Sequence, residues 1–485
     1  MLYLPGRIVA GGVGLVVIPL LTHVFPDTAE IGRYDLTTRF AQFLHTLTVF
    51  WLGTVIVRFY PAYRERGESS VFFTVVTWLR GVGIAIGLVL ILLAYRYGPS
   101  AILGSFRHLL GVGALVFLGF ALFESDQMVL RAKGRASAFS LALSINVLAK
   151  YGIGFAVALS LGTGIGGVLL GVGIAPVMLH AVWLRREYEH ARLRLEPRDR
   201  QFMKEALAFG APVGLTAVLT FLLGNSDRYL LRALTRSDEV VGMFAVGNLF
   251  GEQPVALLSS TLILAAFPEI SRIYDCTTRT EAEEFLGQVT RLYFLIAMPV
   301  AVLVSAVSPA LFSLVISGSA RHAWDVVPLV AGAAVLAGLS HYATLGIYMA
   351  KRTGRLLLCI CVGLILNIGM NGVLIPRMGY MACGIARLAA NAALVLALAA
   401  TSQRYLRWRF PFTALARSSL AALAGAASVL GLGYGILPCC PFPWGLATLA
   451  VLAIVGAGVY AAVLVITGEI TQAERHALLR FVRRR

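Results

Sequence analysis

The sequence predicts an all-α protein that crosses a membrane about fourteen times, and three observations carry that prediction. Of its 485 residues, 58% are hydrophobic and only 13% are charged. The mean hydropathy is +0.81, whereas soluble domains carry about 25% charged residues. Apolar runs long enough to span a bilayer recur along the chain, separated by short polar or turn-forming segments.

Each predicted helix is an apolar run of roughly 18 or more residues that ends at charged or turn-forming residues. The start, MLYLPGR, is not typical of a cleaved signal peptide, because the apolar run that follows belongs to this regular series. The fourteen predicted spans are 7–25, 37–57, 71–95, 109–130, 138–160, 164–184, 209–231, 243–267, 292–315, 326–350, 356–375, 380–402, 418–437 and 445–467.

The distribution of Lys and Arg predicts the orientation of these spans. The two termini and the even-numbered connections carry 29 of these residues, and the other side carries nine. Because basic residues concentrate on the cytoplasmic side, both termini are predicted to be cytoplasmic. This asymmetry also explains the net charge of +17 without a nucleic-acid partner. The six cysteines show no metal-ligand or redox spacing.

An internal repeat predicts two related halves. Residues 30–34 (EIGRY) correspond to residues 240–244 (VVGMF), and Pro99 corresponds to Pro309, each at an offset of 210. With six spans per half, the halves run in the same direction and form a parallel repeat. The predicted division is an N-terminal six-helix lobe at 1–184, a cytoplasmic linker at 185–205, a C-terminal six-helix lobe at 206–403, two additional helices at 404–467 and a basic amphipathic cytoplasmic tail at 468–485.

Charged residues within the spans are the candidates for function, because each costs about 2.5–3.5 kcal/mol on insertion scales. Arginine and lysine in such positions suit a phosphate-bearing anion, which arginine binds bidentately. The predicted substrate-binding cations are Arg39, Arg58, Arg80, Lys150, Arg228 and Arg387. The predicted ion-coupling or gating carboxylates are Asp35, Asp227 and Glu252.

Structural roles compete with these functional ones. Arg58 is as well explained by a side chain that reaches the membrane interface, and Arg80 by a buried pair with Glu124. Asp227 and Arg228 are adjacent, so their side chains should point about 100° apart and meet different partners.

The chain resembles the polysaccharide transporter family of the multidrug/oligosaccharidyl-lipid/polysaccharide (MOP) superfamily. The resemblance rests on short motifs: Pro19-Leu-Leu-Thr22 followed by Gly32-Arg-Tyr34, and Gly210-Ala-Pro212 followed by Asn225-Ser-Asp227-Arg228. It implies a fold of two six-helix lobes plus two helices, as in multidrug exporters of the MATE type. The implied function is an O-antigen or exopolysaccharide flippase that translocates undecaprenyl-diphosphate-linked oligosaccharides to the external leaflet by alternating access.

The resemblance also implies the setting. The expected location is the bacterial inner membrane, the expected partners are the lipid-linked substrate, membrane lipids and enzymes of polysaccharide assembly (polymerase and glycosyltransferases), and no cofactor is expected beyond coupling to H⁺ or Na⁺. A peptidoglycan-precursor (lipid II) flippase and a cation-coupled drug exporter remain open alternatives. A membrane glycosyltransferase or polymerase is disfavoured, because the external connections are short and no catalytic motif is found.

Overall fold

The computed structural model describes residues 4–188, 191–192, 194–350, 352–436 and 444–469. The described part has helices and turns and contains no strand, which confirms the predicted all-α class. The longer helices are α1 (Leu4–Val24), α2 (Thr28–Thr48), α3 (Phe50–Glu65), α4 (Ser69–Tyr97), α6 (Leu110–Ala132), α7 (Ala136–Leu161), α8 (Ile165–Val182), α9 (Pro197–Thr235), α10 (Asp238–Cys276), α11 (Arg279–Val315), α12 (Val327–Ala343), α14 (Thr353–Met378), α15 (Met381–Ser402), α16 (Phe412–Ile436) and α17 (Trp444–Ile466). Two short helices complete the set, α5 (Ser100–Leu103) and α13 (Leu345–Met349).

Every predicted span coincides with a helix in the described part of the chain. Twelve helices there are long and apolar enough to cross a membrane, and the bent pair of α2 and α3 passes the same test of length and composition when it is taken as one span. The helix α1 contributes a shorter apolar stretch, Gly11–Val24. The predicted tail at 468–485 lies almost wholly outside the described residues. The two consecutive cysteines at 439–440 also lie outside them.

The second predicted span differs from its prediction in length and shape. The sequence predicts a single helix at 37–57, whereas the chain is helical from Thr28 to Glu65, apart from a break at Val49 where the axis bends by 44°. The helix begins early because the Asp27 side chain accepts a hydrogen bond from the Ala29 backbone N–H and so caps its first turn. The polar residues of its first turns, which look like a loop in the sequence, are therefore helical.

Contacts between residues divide the chain into two compact units. Unit 1 comprises residues 1–245 and 371–379, and unit 2 comprises residues 246–370 and 380–485. The helices α10 and α14 each contribute residues to both units. The lobe boundaries drawn from the repeat remain a prediction.

The predicted linker at 185–205 is partly helical. A 3₁₀ segment covers Leu184–Tyr188, and α9 begins at Pro197, where Glu196 and Asp199 form a reciprocal capping box. Both Lys133 and Arg135 pair with the buried Glu187 carboxylate, the former at 2.8 Å. These contacts fix the start of the segment against the end of α6.

An aromatic cluster closes the same end of unit 1. Tyr63 and Phe202 lie with their ring centroids 4.4 Å apart, and Phe72 packs against both rings. Tyr188 joins the cluster through Phe73 at 5.7 Å. The start of α9 is therefore held against α3 and α4 by buried aromatic area in addition to polar contacts.

The crossing of α2 and α10 is made by two glycines. A Cβ on Gly32 would overlap the carbonyl oxygen of Asp238, and a Cβ on Gly242 would overlap that of Thr28. Each glycine thus contacts the carbonyl oxygen of the residue four positions before the other glycine, so the contact is reciprocal. These are the glycines that the repeat aligns at an offset of 210, and only glycine permits such close approach of two backbones.

Candidate substrate-binding site

A polar cluster on α2 and α9 brings together four of the nine predicted residues. The Arg228 Nε donates to Asp35 Oδ2 at 2.7 Å, and Arg228 Nη1 lies 3.4 Å from Asp227 Oδ1. The guanidinium also lies over the Phe244 ring, 5.5 Å from its centroid. The side chain of Arg228 is only 2% exposed. A cation so deeply buried requires these carboxylates, because an unpaired buried charge is costly.

Arg39 is the exposed member of this cluster. Its Nε lies 3.4 Å from Asp35 Oδ1, and its Nη1 donates to Gln42 Oε1 at 3.0 Å. Asp35 is therefore shared, one oxygen to each arginine. The Arg39 side chain is 30% exposed, so part of its guanidinium remains accessible to an anion.

Lys150 adjoins the same cluster through two tyrosines. Its Nζ lies 4.7 Å from the centroid of the Tyr151 ring, and the Tyr151 side chain is hydrogen-bonded to that of Tyr34, the residue before Asp35. Lys150 is thus connected to the cluster through the side chains of Tyr151 and Tyr34.

The prediction that Asp227 and Arg228 meet different partners is wrong in part. Arg228 reaches Asp35 on another helix, as expected, but its guanidinium also turns back to the Asp227 carboxylate. The arginine side chain is long enough to offset the angular separation of adjacent helical positions.

The ends of α9 and α10 carry an ion-pair cluster that the sequence analysis did not single out. Asp238 Oδ1 lies 2.6 Å from Arg232 Nε, and Asp238 Oδ2 lies 3.3 Å from Arg33 Nε. All three residues lie beside the crossing of Gly32 and Gly242. One signal was available in the sequence: Arg33 lies within the first copy of the repeat motif, and Asp238 lies two residues before the second copy.

Arg80 belongs to a separate group, and the prediction that it pairs with Glu124 is wrong. Its Nη1 lies 3.1 Å from Asp126 Oδ1, and its guanidinium lies over the Tyr188 ring at 4.4 Å. Glu124 instead faces His45, with 3.6 Å between Oε2 and Nδ1. Because Glu124 and Asp126 are two residues apart on α6, their side chains point about 200° apart, and only Asp126 faces α4.

Arg58 lies on α3 and is exposed. Its guanidinium lies 4.7 Å from the centroid of Phe209 on α9 and 5.9 Å from that of Phe59. Among the described residues no carboxylate lies within ion-pair distance of it. It therefore stands apart from the cluster of Asp35 and Arg228, and either an interfacial or a binding role is consistent with its place.

In unit 2, Arg387 and Glu252 form a pair. The Arg387 Nη1 donates to Glu252 Oε2 at 2.9 Å and also to Asn248 Oδ1, while Asn248 Nδ2 donates to Glu252 Oε2 at 2.9 Å. Arg387 is buried, whereas the Glu252 side chain is 45% exposed. The sequence identified both charged residues but not their contact or the role of Asn248.

Unit 2 also contains an apolar cavity of about 330 Å³ between α11, α16 and α17. Its walls include Ala306, Ala310, Leu430 and Leu449. No group of three or more potential metal ligands occurs among the described residues.

Comparison with known proteins identifies the relatives of this chain. The family of polysaccharide biosynthesis proteins matches residues 2–274, more than half of the sequence. A comparison with curated protein sequences finds no match.

The fold is similar to several solved transporter structures. The lipid II flippase MurJ, in an inward closed conformation, matches with a TM-score of 0.78 at 15% identity, covering 96% of this chain and 98% of its own. A variant of the Vibrio cholerae MATE transporter VcmN matches with a TM-score of 0.55 at 15% identity, covering 83% and 97%. An inward-facing multidrug resistance MATE transporter of the MOP superfamily matches with a TM-score of 0.52 at 14% identity, covering 83% and 94%. The chain therefore belongs to the polysaccharide biosynthesis protein family and has the fold of the MOP superfamily of transporters and flippases.

Proposed function

We propose that this protein is a flippase that translocates undecaprenyl-diphosphate-linked oligosaccharides from the cytoplasmic to the external leaflet of the bacterial inner membrane, for lipopolysaccharide or exopolysaccharide synthesis. The observation that carries the proposal is the cluster of Arg39, Arg228 and Lys150 within the spans of a chain from the polysaccharide biosynthesis family. Intramembrane cations are costly, and a diphosphate is an anion that would use them.

The cluster supports a division of labour among these residues. Arg228 is buried and held by two carboxylates, so it organises the site and positions Asp35. Arg39 and Lys150 are less buried and retain donors for a phosphate oxygen. An arriving diphosphate would compete with Asp35 for Arg39, which makes Asp35 and Asp227 candidates for conformation-dependent pairing. Other positions of the two units hold the remaining candidates. The candidates for substrate binding there are Arg58, Arg80 and Arg387, and the candidate for ion coupling or gating is Glu252.

The apolar cavity in unit 2 supports a lipid-linked substrate. Its volume of about 330 Å³ lies at the lower end of the range of roughly 300–1,000 Å³ for small-molecule sites. An isoprenoid segment would fit its aliphatic walls, while the sugar and diphosphate would need a polar route.

A second candidate function, a lipid II flippase, is favoured by the higher TM-score and fuller coverage of MurJ compared with the MATE transporters. The two functions share a diphosphate and a polyprenyl chain and differ in the sugar. Catalysis is not proposed, because the family and the similar structures are flippases and transporters. We further propose that transport is coupled to H⁺ or Na⁺, that both termini are cytoplasmic, and that polymerase and glycosyltransferases are partners.

Depletion of the protein in its native cells tests the proposal. We expect intact oligosaccharide-diphosphate-lipid to accumulate on the cytoplasmic leaflet and surface polysaccharide to disappear. Accumulation of lipid II with loss of cell-wall integrity would instead establish the second candidate. If the intermediate reaches the external leaflet and stays unpolymerised, the protein acts later than translocation and the flippase proposal is wrong.

Complementation with variants tests the site. We expect Arg39→Ala to reduce surface polysaccharide at least about tenfold, because Arg39 offers an exposed fork for phosphate. Arg96→Ala is the matched control, since Arg96 is an exposed arginine at the end of α4. Equal export by both variants, at equal protein levels, would remove Arg39 from the binding site.

A further inference from the structure

A carboxylate, an imidazole and a guanidinium meet in unit 1 apart from the cluster of Arg39 and Arg228. Asp126 on α6 is fully buried. Its Oδ1 lies 3.1 Å from Arg80 Nη1 on α4, and its Oδ2 lies 2.7 Å from His180 Nδ1 on α8. The two carboxylate oxygens thus face different helices, and three helices contribute one group each.

The imidazole is the most exposed of the three groups. The His180 side chain is 17% exposed, whereas those of Arg80 and Asp126 are 8% and 0% exposed. It lies two residues from the end of α8, on the side of the predicted cytoplasmic linker. Histidine is the side chain that ordinarily changes its charge between about pH 5 and 8. A group able to take up a proton, near the end of α8, is therefore in direct contact with a buried ion pair.

Other groups around the cluster do not supply a competing proton site. The ring of Tyr188 lies 6.2 Å from that of His180. Burial raises the pKa of Tyr188 well above its ordinary value, and the Asp126 carboxylate raises it further, so this phenol stays neutral. Beyond it, Glu187 is held by Lys133 and Arg135. The neighbouring part of α7 presents apolar side chains, which pack with Leu179 and Trp183 of the α8 end.

We propose that His180 and Asp126 form a proton-binding site through which pH controls transport by this chain. The control of transport rests on the proposed flippase function, whereas proton binding does not. With His180 neutral, Nδ1 carries the hydrogen that faces Asp126, and the charges of Arg80 and Asp126 cancel. A proton from water then adds to Nε2 without breaking any bond. The cluster gains one positive charge, and two cations share the single Asp126 carboxylate.

This change weakens the hold of Asp126 on Arg80. The guanidinium is stacked on Tyr188, the last residue of the 3₁₀ segment with which the linker begins. The protonation state of His180 is thereby linked to the contact between α4, α6 and the start of the linker. A purely structural ion pair would need Asp126 and Arg80 but would not depend on the imidazole.

Nuclear magnetic resonance on the full chain tests proton binding. The protein is labelled with ¹⁵N-histidine, placed in lipid nanodiscs, and titrated between about pH 5 and 8. We expect one imidazole signal to change from the neutral to the protonated form and to be absent from His180→Asn. His108→Asn is the matched control, because it removes an exposed imidazole from another part of unit 1. If the His180 signal does not change over this range, the proposal is wrong.

Transport in proteoliposomes tests the control by pH. The probe is undecaprenyl-diphosphate-linked N-acetylglucosamine, whose arrival in the outer leaflet is measured by lectin binding. We expect the wild-type rate to differ at least about threefold between pH 6 and 8, the range over which an imidazole titrates, and that ratio to fall below about 1.5 in His180→Asn. Glu124→Gln is the matched control, since this partly exposed carboxylate lies on α6 with Asp126 but faces His45.

The two readouts separate the possible failures. A titrating His180 with an unchanged pH profile of transport in His180→Asn would overturn the proposal, because proton binding would then have no effect on transport. Absence of transport of the probe by the wild type would count against the proposed function with this sugar. The titration would still decide whether His180 binds a proton beside Asp126.

Discussion

Removal of the Arg228 guanidinium should destabilise the protein more than removal of any exposed arginine. The side chain is 2% exposed and serves two carboxylates, Asp35 at 2.7 Å and Asp227 at 3.4 Å. Breaking a buried ion pair by removing one partner costs about 3–5 kcal/mol. Arg39 remains 3.4 Å from Asp35 and offsets part of the loss, so we expect Arg228→Ala to lower the free energy of unfolding by about 3 kcal/mol, the lower end of that range.

Equilibrium unfolding of the purified protein in mixed micelles measures this quantity. Arg228→Lys should recover about half of the loss, because lysine keeps the charge but lacks the planar fork that serves two acceptors on different helices. A double-mutant cycle with Asp35→Asn and Arg228→Gln should give a coupling energy of about 1–3 kcal/mol. The matched control, Arg96→Ala, should change stability by less than about 0.5 kcal/mol. If Arg228→Ala behaves like this control, the cluster does not hold α2 against α9 and the reasoning is refuted.

Three further substitutions test other contacts by the same unfolding measurement. Gly32→Ala should destabilise by about 1–3 kcal/mol, because its Cβ would overlap a backbone oxygen across the crossing. Gly81→Ala is the control and should not destabilise, because a Cβ at Gly81 would meet open space. Equal effects of the two substitutions would show that the glycine contact is unimportant. Asp126→Ala should lower the free energy of unfolding by about 3–5 kcal/mol, because it leaves the buried Arg80 without this carboxylate. Glu124→Ala should lower it much less. The reverse order would support the Arg80–Glu124 pair predicted from the sequence. Asp199→Ala should cost about 1 kcal/mol through loss of the capping box at the start of α9, and a neutral result would mean that tertiary contacts alone fix this helix end.

The sequence predicts the helices of this protein well because lipid selects for a single property, an apolar run of sufficient length. It predicts their ends less well where polar residues are helical. The segment from Thr28 to Leu36 contains charged residues and resembles a connection, yet the Asp27 cap and the contacts of Arg33 and Asp35 stabilise it as helix. Polar groups on neighbouring helices pair with these side chains in place of the water molecules that would solvate them in a loop.

Partners of intramembrane charges are harder to predict than the charges themselves. The cost of burial marks Arg80 and Arg387 in the sequence, but depth in the membrane does not decide which acid lies on the facing side. Glu124 and Asp126 have similar depths, and only their angular positions on α6 separate them. Asn248, which bonds both Arg387 and Glu252, carries no charge and gave no signal. Such contacts depend on helix rotation, which a single sequence does not fix.

The reciprocal glycine crossing of α2 and α10 has a consequence for accuracy of placement. Because backbone touches backbone there, a slip of α2 by one residue would bring the side chain of Ile31 or Arg33 against the partner helix, and neither fits. The glycine contact therefore fixes the position of α2 along its own axis relative to α10. Asp35 lies three residues further along, on the same face. The site's charges are thus set in depth by two residues that have no side chains.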